Sequence, residues 1–105
     1  MPERMLGLSK DFIADDLARF PNGQMDMLQE ECAELILACS KVKRYPADSY
    51  RHSNLIEEMA DVLIVLTATA TGLGITENDI LEEANKKAKK YGFSSAKGDN
   101  YEQAK

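Results

Sequence analysis

Apolar residues recur at helical spacing in four segments of the chain, separated by short runs rich in Pro, Gly, Asn and Ser. The spacing and the capping residues predict helices from Ser9 to Phe20, from Gln24 to Lys43, from a cap at Ser53 or Asn54 to Leu73, and from Thr76 to about Tyr91. No segment keeps the two-residue period of a strand for long. The sequence therefore predicts an all-α fold, a four-helix bundle with antiparallel neighbours.

The two ends of the chain lack this periodicity. Residues 1–8 show no clear period, and residues 94–105 are rich in Gly, Ser, Asn, Lys and Glu. We therefore expect a flexible arm over residues 1–8, one helical domain over residues 9–93 and a disordered tail over residues 94–105.

The third helix is the most apolar of the four. From Val62 onward nearly every position is apolar, or is a small Thr or Ala, up to Leu73. A helix that is apolar all round is buried on all sides, which four short helices in 105 residues do not easily achieve. The sequence therefore predicts a homo-oligomer that packs through this helix.

An acidic pattern occurs twice beside apolar residues. Residues 30–37 (Glu-Glu-Cys-Ala-Glu-Leu-Ile-Leu) and residues 57–64 (Glu-Glu-Met-Ala-Asp-Val-Leu-Ile) match in residue type at every position. On a helix, residues three apart share a face, so Glu31 lies beside Glu34 and Glu58 beside Asp61. Each pair borders an apolar seam and so lies at the edge of the core.

The two acidic pairs are expected to meet. If the turn between the second and third helices falls near Tyr45 to Arg51, the helices are antiparallel and four carboxylates converge. Two such charges about 4 Å apart repel by about 1 kcal/mol in water and about 4 kcal/mol near a protein surface. A hard divalent cation with oxygen ligands would remove that penalty. The alternative is a pair of solvated acidic faces.

Composition excludes several classes of function. The net charge of −5 and the lack of a broad basic face argue against a nucleic-acid binder. The longest apolar stretch is too short and too interrupted to span a bilayer, and no signal peptide opens the chain.

The two cysteines, Cys32 and Cys39, lie about 10.5 Å apart along one helix, too far to form a disulfide with each other. They are expected to be buried free thiols on the helix seam, as in a reducing, cytoplasmic compartment.

Two basic regions are candidates for phosphate contacts. The predicted connection from Lys41 to His52 concentrates cations that could meet the outer phosphates of a metal-bound ligand: Lys41, Lys43, Arg44 and Arg51. Lysines also crowd the end of the last helix, among them Lys86, Lys87 and Lys90. Each region can equally be explained as charge compensation at a helix C-terminus.

The ordered pair Glu31-x-x-Glu34 and Glu58-x-x-Asp61 resembles the MazG-like all-α nucleoside triphosphate pyrophosphohydrolases, over about residues 24–91. The resemblance implies that these four acids hold Mg²⁺, with Mn²⁺ as a possible substitute, and that Glu30 is a further acid of the site. It implies hydrolysis of a nucleoside triphosphate, a deoxynucleotide or a non-standard one, to the monophosphate and pyrophosphate, as in cleaning of nucleotide pools. It also implies a homodimer or homotetramer.

Some features leave the function open. Family members often carry Lys, and Asn followed by Arg, near the end of the last helix, whereas residues 82–87 here read Glu-Glu-Ala-Asn-Lys-Lys. A phosphoribosyl-ATP pyrophosphohydrolase-like enzyme and a non-catalytic helical interaction module are the alternatives. A di-iron site is disfavoured because no His follows a Glu at the required spacing.

If the chain hydrolyses a nucleotide, Glu34 or Glu30 would orient the attacking water.

Overall fold

A computed structural model describes residues 3–21 and 23–96 of the chain. Its elements are β1 (Arg4–Met5), β2 (Leu8–Ser9), α1 (Lys10–Arg19), α2 (Gln24–Arg44), α3 (Ser49–Gly72) and α4 (Glu77–Lys90). The prediction of an all-α fold with four helices is confirmed. The chain divides into two compact units, Met1–Gly74 and Ile75–Lys105, while a single domain over residues 9–93 stays a prediction.

The N-terminal segment forms a small hairpin, where the sequence indicated no regular element. β1 and β2 pair antiparallel, with Met5 opposite Leu8. Leu6 and Gly7 both have positive φ, 50° and 85°, as the tightest hairpin turns require. Met5 is buried, and its sulfur accepts a hydrogen bond of 3.2 Å from the Thr71 hydroxyl of α3. Strands of two residues are too short to give a readable period, so the sequence did not indicate this hairpin.

Helix α1 begins where its capping residue predicted. The Ser9 hydroxyl accepts a hydrogen bond from the Phe12 backbone N–H, and the helix ends at Arg19. Ile13 is almost fully buried. Leu17 lies next to Gly72 at the end of α3, so α1 covers the C-terminal part of α3 and helps to form the core of the first unit.

The connection between α2 and α3 is shorter than predicted. α2 continues to Arg44 and α3 begins at Ser49, so the predicted caps Ser53 and Asn54 lie inside the helix. The cap is Asp48, whose carboxylate accepts hydrogen bonds from the backbone N–H groups of Tyr50 and Arg51 at 2.9 and 3.2 Å. These backbone bonds, led by that of Arg51, lower the pKa of Asp48. A carboxylate cap is favourable at a helix N-terminus.

The C-terminal half of α3 forms the centre of the first unit. The buried residues of this helix are Val65, Thr67, Ala68, Thr69 and Ala70. The buried hydroxyls of Thr67 and Thr69 each donate to a carbonyl four residues earlier, at 2.7 Å, which satisfies them inside the core.

The N-terminal half of α3 is less buried than the sequence suggested. We define the α3 apolar stripe as Ile56, Met59, Leu63 and Leu66, which follow three-and-four spacing and are 37 to 57% exposed. Within residues 62–73, Leu63, Leu66 and Leu73 also remain exposed in the single chain, Leu73 at 61%. Among the described residues, exposed apolar side chains of α3 are therefore concentrated at residues 56–66, and their burial in an oligomer stays a prediction.

The cysteines are free thiols, as predicted. Cys32 is half-buried, but Cys39 is exposed, so the prediction that both are buried is wrong for Cys39. The seam read from the sequence is turned partly away from α3, because the contact is centred on the buried Ala38, one residue away.

Helix α4 belongs to the second unit and begins with the predicted capping box. The Asp79 N–H donates to the Thr76 hydroxyl at 3.0 Å, and the Thr76 N–H donates to the Asp79 carboxylate at 2.9 Å. Hydrogen bonds from Thr76, the backbone N–H first, lower the pKa of Asp79. Near the end of the helix, the side-chain oxygen of Asn85 accepts hydrogen bonds from the Ser95 hydroxyl and the Ala96 N–H.

The structure describes residues 94–96 of the predicted tail, and the disorder expected over residues 94–105 stays a prediction. The remainder of the tail, residues 97–105, lies outside the described residues, as do residues 1–2 of the predicted arm and Asn22 of the predicted break. Within residues 3–21 and 23–96, no single helix has the length and apolar composition to cross a membrane, although α3 and α4 pass that test when they are taken together.

Candidate functional site

Helices α2 and α3 bring the doubled acidic motif together. They pack along each other and are joined by a short loop from Tyr45 to Asp48. Glu34 lies ten residues before the end of α2, and Glu58 lies nine residues after the start of α3. Because each residue advances a helix by about 1.5 Å, the two acids lie at nearly the same distance from the loop. The antiparallel pairing expected from the sequence accounts for this arrangement.

Three carboxylates converge on this side of the helix pair. One oxygen from each of Glu31, Glu34 and Glu58 lies within 4.8 Å of the other two. Glu31 and Glu58 are half-buried, whereas Glu34 is exposed. We call these three residues the acidic cluster.

Two oxygens of the acidic cluster are enclosed and unsatisfied. The Oε2 atoms of Glu31 and Glu58 are shielded from solvent and have no hydrogen-bond partner among the described residues. An enclosed carboxylate oxygen without a donor is unfavourable, so buried polar atoms normally have a partner. These two atoms therefore identify the place where a ligand with positive charge would be stabilised.

Burial, together with the neighbouring acids, raises the pKa of two of the acids. Burial is the main cause for both Glu31 and Glu58, because it disfavours the charged form. For Glu31, the charges of Glu34 and Asp61 add to this effect. For Glu58, the neighbouring carboxylate of Glu34 comes next, followed by the charge of Asp61. Glu34 and Asp61 thus act on both half-buried acids.

The donor set fits a hard divalent cation. Mg²⁺ and Ca²⁺ bind to carboxylate oxygens, and Mn²⁺ shares this preference. Each of the three acids supplies one oxygen, Glu31 and Glu58 from half-buried side chains and Glu34 from an exposed one. A cation held there would remove the repulsion and give the two enclosed oxygens a partner. The exposed side would leave room for water and a substrate.

The structure places the predicted acids in three different situations. Glu31, Glu34 and Glu58 form the acidic cluster. Asp61 is exposed and lies outside that set of three, but its charge is felt by both half-buried acids. Glu30 is exposed on α2 and is not brought into the cluster.

The predicted phosphate-binding lysines are in the second unit. Lys86, Lys87 and Lys90 are exposed on α4. The Lys86 ammonium lies 3.6 Å from the Glu83 carboxylate, and that of Lys90 lies 5.9 Å from the centre of the Tyr91 ring. A phosphate contact by these lysines stays a prediction, beside the alternative of charge compensation at the helix end.

One arrangement near the loop was not foreseen. The Arg51 guanidinium pairs with the Asp48 carboxylate and lies 4.2 Å from the centre of the Tyr45 ring. Asp48 is a residue type favoured at a helix N-cap, and this signal could have revealed it. It was missed because Pro46, Asp48 and Ser49 together suggested that the connection continued.

Comparison with known proteins gave one family match. The family model described as phosphoribosyl-ATP pyrophosphohydrolase matches residues 14–88, which include all of α2 and α3 and most of α4. Neither the curated proteins nor the solved structures gave a match.

Proposed function

Because the chain belongs to the phosphoribosyl-ATP pyrophosphohydrolase family, we propose that it hydrolyses the anhydride bond between the α and β phosphates of a nucleotide, with the acidic cluster holding the required divalent cation. This family is part of the MazG-like all-α superfamily and acts as pyrophosphohydrolases on a nucleotide. The match disfavours a non-catalytic interaction module.

The observation that carries the proposal is the pair of enclosed, unpartnered oxygens in the acidic cluster. A solvated acidic face would turn its carboxylates to water, but Glu31 and Glu58 each turn one oxygen inward. With Glu34 between them, they provide three of the four proposed ligands. Asp61 is the fourth, and its charge already acts on the cluster. Mg²⁺ is the proposed cation and Mn²⁺ its substitute.

The reaction adds water across one phosphoanhydride bond. The water oxygen bonds to the α phosphorus, the bond from this phosphorus to the bridging oxygen breaks, and pyrophosphate leaves with that oxygen. A bound divalent cation would neutralise phosphate charge and make the water more acidic. The chain must orient the water and accept its proton.

Glu34 is the better candidate for that task. It belongs to the acidic cluster and also faces solvent, so one carboxylate oxygen can bind the cation while the other meets the water. Glu30 is the second candidate, since it lies one turn before Glu34 on α2. A folded Glu34→Gln variant should lose most turnover, and undiminished turnover would exclude Glu34 as the base.

Two substrate classes are proposed. The first is a nucleoside triphosphate, either a deoxynucleotide or a non-standard one, whose hydrolysis would clean the nucleotide pool. The second is phosphoribosyl-ATP, which is favoured by the description of the matching family. Both carry the same triphosphate chain, so the acidic cluster would act on both in the same way.

Two further features are part of the proposal. Lys86, Lys87 and Lys90 are proposed as phosphate contacts. We also propose that the chain forms a homodimer or homotetramer in which the α3 apolar stripe is covered, because exposed apolar side chains in a continuous row favour association.

The test is release of pyrophosphate from ribo- and deoxynucleoside triphosphates, non-standard triphosphates and phosphoribosyl-ATP, each with Mg²⁺ and with a chelator. We expect a monophosphate and pyrophosphate from at least one substrate, only with the cation. The control Asp15→Asn removes one exposed acid of α1 and should leave the rate unchanged. Nucleoside diphosphate and phosphate as products, or a rate that persists with the chelator, would contradict the proposal.

A further inference from the structure

The structure places Lys41 in register with the acidic cluster. Lys41 lies in the last turns of α2, which ends at Arg44. It follows Glu34 by seven residues. Seven residues rotate a helix by about 700°, only about 20° short of two full turns. Lys41 therefore projects from the same face of α2 as Glu34, about 10.5 Å nearer the loop.

The direction of the side chain shortens this distance. Side chains on an α-helix tilt toward its N-terminus. For Lys41 that direction leads back toward Glu34. Lys41 is also exposed, so its long side chain can extend over the surface between the loop and the acidic cluster.

Arg51 has the matching position on α3 but is held elsewhere. It precedes Glu58 by seven residues, yet its tilt leads toward the loop and away from the cluster. Its guanidinium is occupied by the Asp48 carboxylate and the Tyr45 ring. Of these two cations in register with the cluster, Lys41 is therefore the one available to a ligand there.

We propose that Lys41 binds the pyrophosphate half of the substrate and so sets the direction in which the triphosphate chain lies on the acidic cluster. The inference rests on the proposed function, because it takes a phosphoanhydride as the ligand. The β and γ phosphates point toward the α2–α3 loop, and the nucleoside points the opposite way. When the anhydride bond breaks, negative charge grows on the leaving pyrophosphate, and a nearby ammonium group stabilises it.

The simpler explanation is that Lys41 offsets the negative C-terminal end of α2. Lys43 separates the two explanations. It lies on the same last turns and is exposed, but nine residues from Glu34 correspond to about 900°, which places it on the opposite face. Loss of either lysine removes one charge from the helix end, but only Lys41 faces the cluster.

The experiment is calorimetric titration of the folded protein with inorganic pyrophosphate in the presence of Mg²⁺, for wild type, Lys41→Gln and Lys43→Gln. A charged hydrogen bond contributes about tenfold or more in affinity. We expect Lys41→Gln to weaken pyrophosphate binding by about tenfold and Lys43→Gln to leave it unchanged. Lys41→Arg should restore most of the affinity. Equal weakening in both glutamine variants, or in neither, would overturn the proposal.

The direction of the substrate is tested by measuring how tightly wild type and Lys41→Gln bind the nucleoside monophosphate of the best substrate, in competition with that substrate. Lys41→Gln should leave monophosphate binding unchanged, whereas selective loss of monophosphate binding would reverse the proposed direction and overturn it. The titrations do not depend on turnover. If no nucleotide is hydrolysed but pyrophosphate binds in a Lys41-dependent way, the proposed function fails and this inference stands. If wild type does not bind pyrophosphate, the inference fails whatever the activity.

Discussion

Replacing Glu31 by Gln should make the metal-free protein more stable, although it removes a proposed ligand. The enclosed Oε2 of Glu31 has no donor among the described residues. Its pKa is raised by burial and by the charges of Glu34, Asp61 and Glu58. An amide at this position carries no charge and can donate a hydrogen bond to Glu34. The substitution therefore removes an unfavourable charge and supplies a missing donor.

The size of the effect follows from the spacing of the cluster. At the 4.8 Å limit that encloses the three oxygens, two unit charges repel by about 0.9 kcal/mol in water and about 3.5 kcal/mol near a protein surface. The value in water applies best, because Glu34 is exposed and salt screens the pair. A gain of about 1 kcal/mol corresponds to a rise in Tm of about 4–8 °C for a domain of this size.

Thermal unfolding at pH 7, with a chelator and with Mg²⁺, measures both consequences. Wild type should gain about 1.4 kcal/mol at a Mg²⁺ concentration ten times its Kd, whereas Glu31→Gln should gain much less. Asp15→Asn, which removes an exposed acid of α1, should respond to Mg²⁺ as wild type does. A lower Tm for metal-free Glu31→Gln would show that this carboxylate is stabilising, and would refute the reasoning.

Other features of the fold give further predictions. Because Glu31 and Glu58 have raised pKa values, the folded state binds more protons than the unfolded state just above pH 4.5. The free energy of unfolding of the metal-free protein should therefore fall as pH rises through that window, and it should fall less in Glu31→Gln and Glu58→Gln. Urea unfolding measures this free energy, and a wild-type value that does not fall, or that falls equally in the two variants, would contradict this. Met59→Glu places a charge in the α3 apolar stripe and should convert an oligomer to a monomer in sedimentation, whereas a wild type that is already monomeric at micromolar concentration would exclude the proposed association. Gly72→Ala, whose new Cβ would lie 3.4 Å from a leucine methyl of α1, should stabilise α3 by about 0.4–1 kcal/mol. Gly74→Ala should destabilise the protein by about 1–2 kcal/mol because the φ of Gly74 is +74°. In chemical denaturation, a destabilised Gly72→Ala or a stabilised Gly74→Ala would contradict these two predictions.

Local signals predicted much of the fold. The Ser9 cap and the capping box of Thr76 and Asp79 were predicted correctly, because a side chain that caps the start of a helix is adjacent to that helix in the sequence. Convergence of the acids required one further assumption, an antiparallel turn. The turn was expected between Tyr45 and Arg51, and the structure places it at the loop between Arg44 and Ser49.

The errors arose where tertiary contacts decide the outcome. The hairpin depends on Met5 packing against Thr71, a residue far away in the sequence. The exposure of Cys39 depends on which face of α2 turns toward α3, and a rotation of a fraction of a turn decides that. The cap at Asp48 was hidden by Pro46, which suggested a longer loop.

The central claim is that carboxylates of α2 and α3 hold a divalent cation that the reaction requires. The most direct measurement is titration of wild type and Glu58→Gln with Mn²⁺, with turnover of the best substrate followed in the same samples. We predict that wild type binds Mn²⁺ and that its turnover rises with occupancy, whereas folded Glu58→Gln loses most of both. A folded Glu58→Gln protein that keeps its Mn²⁺ affinity and its metal-dependent turnover would contradict the account.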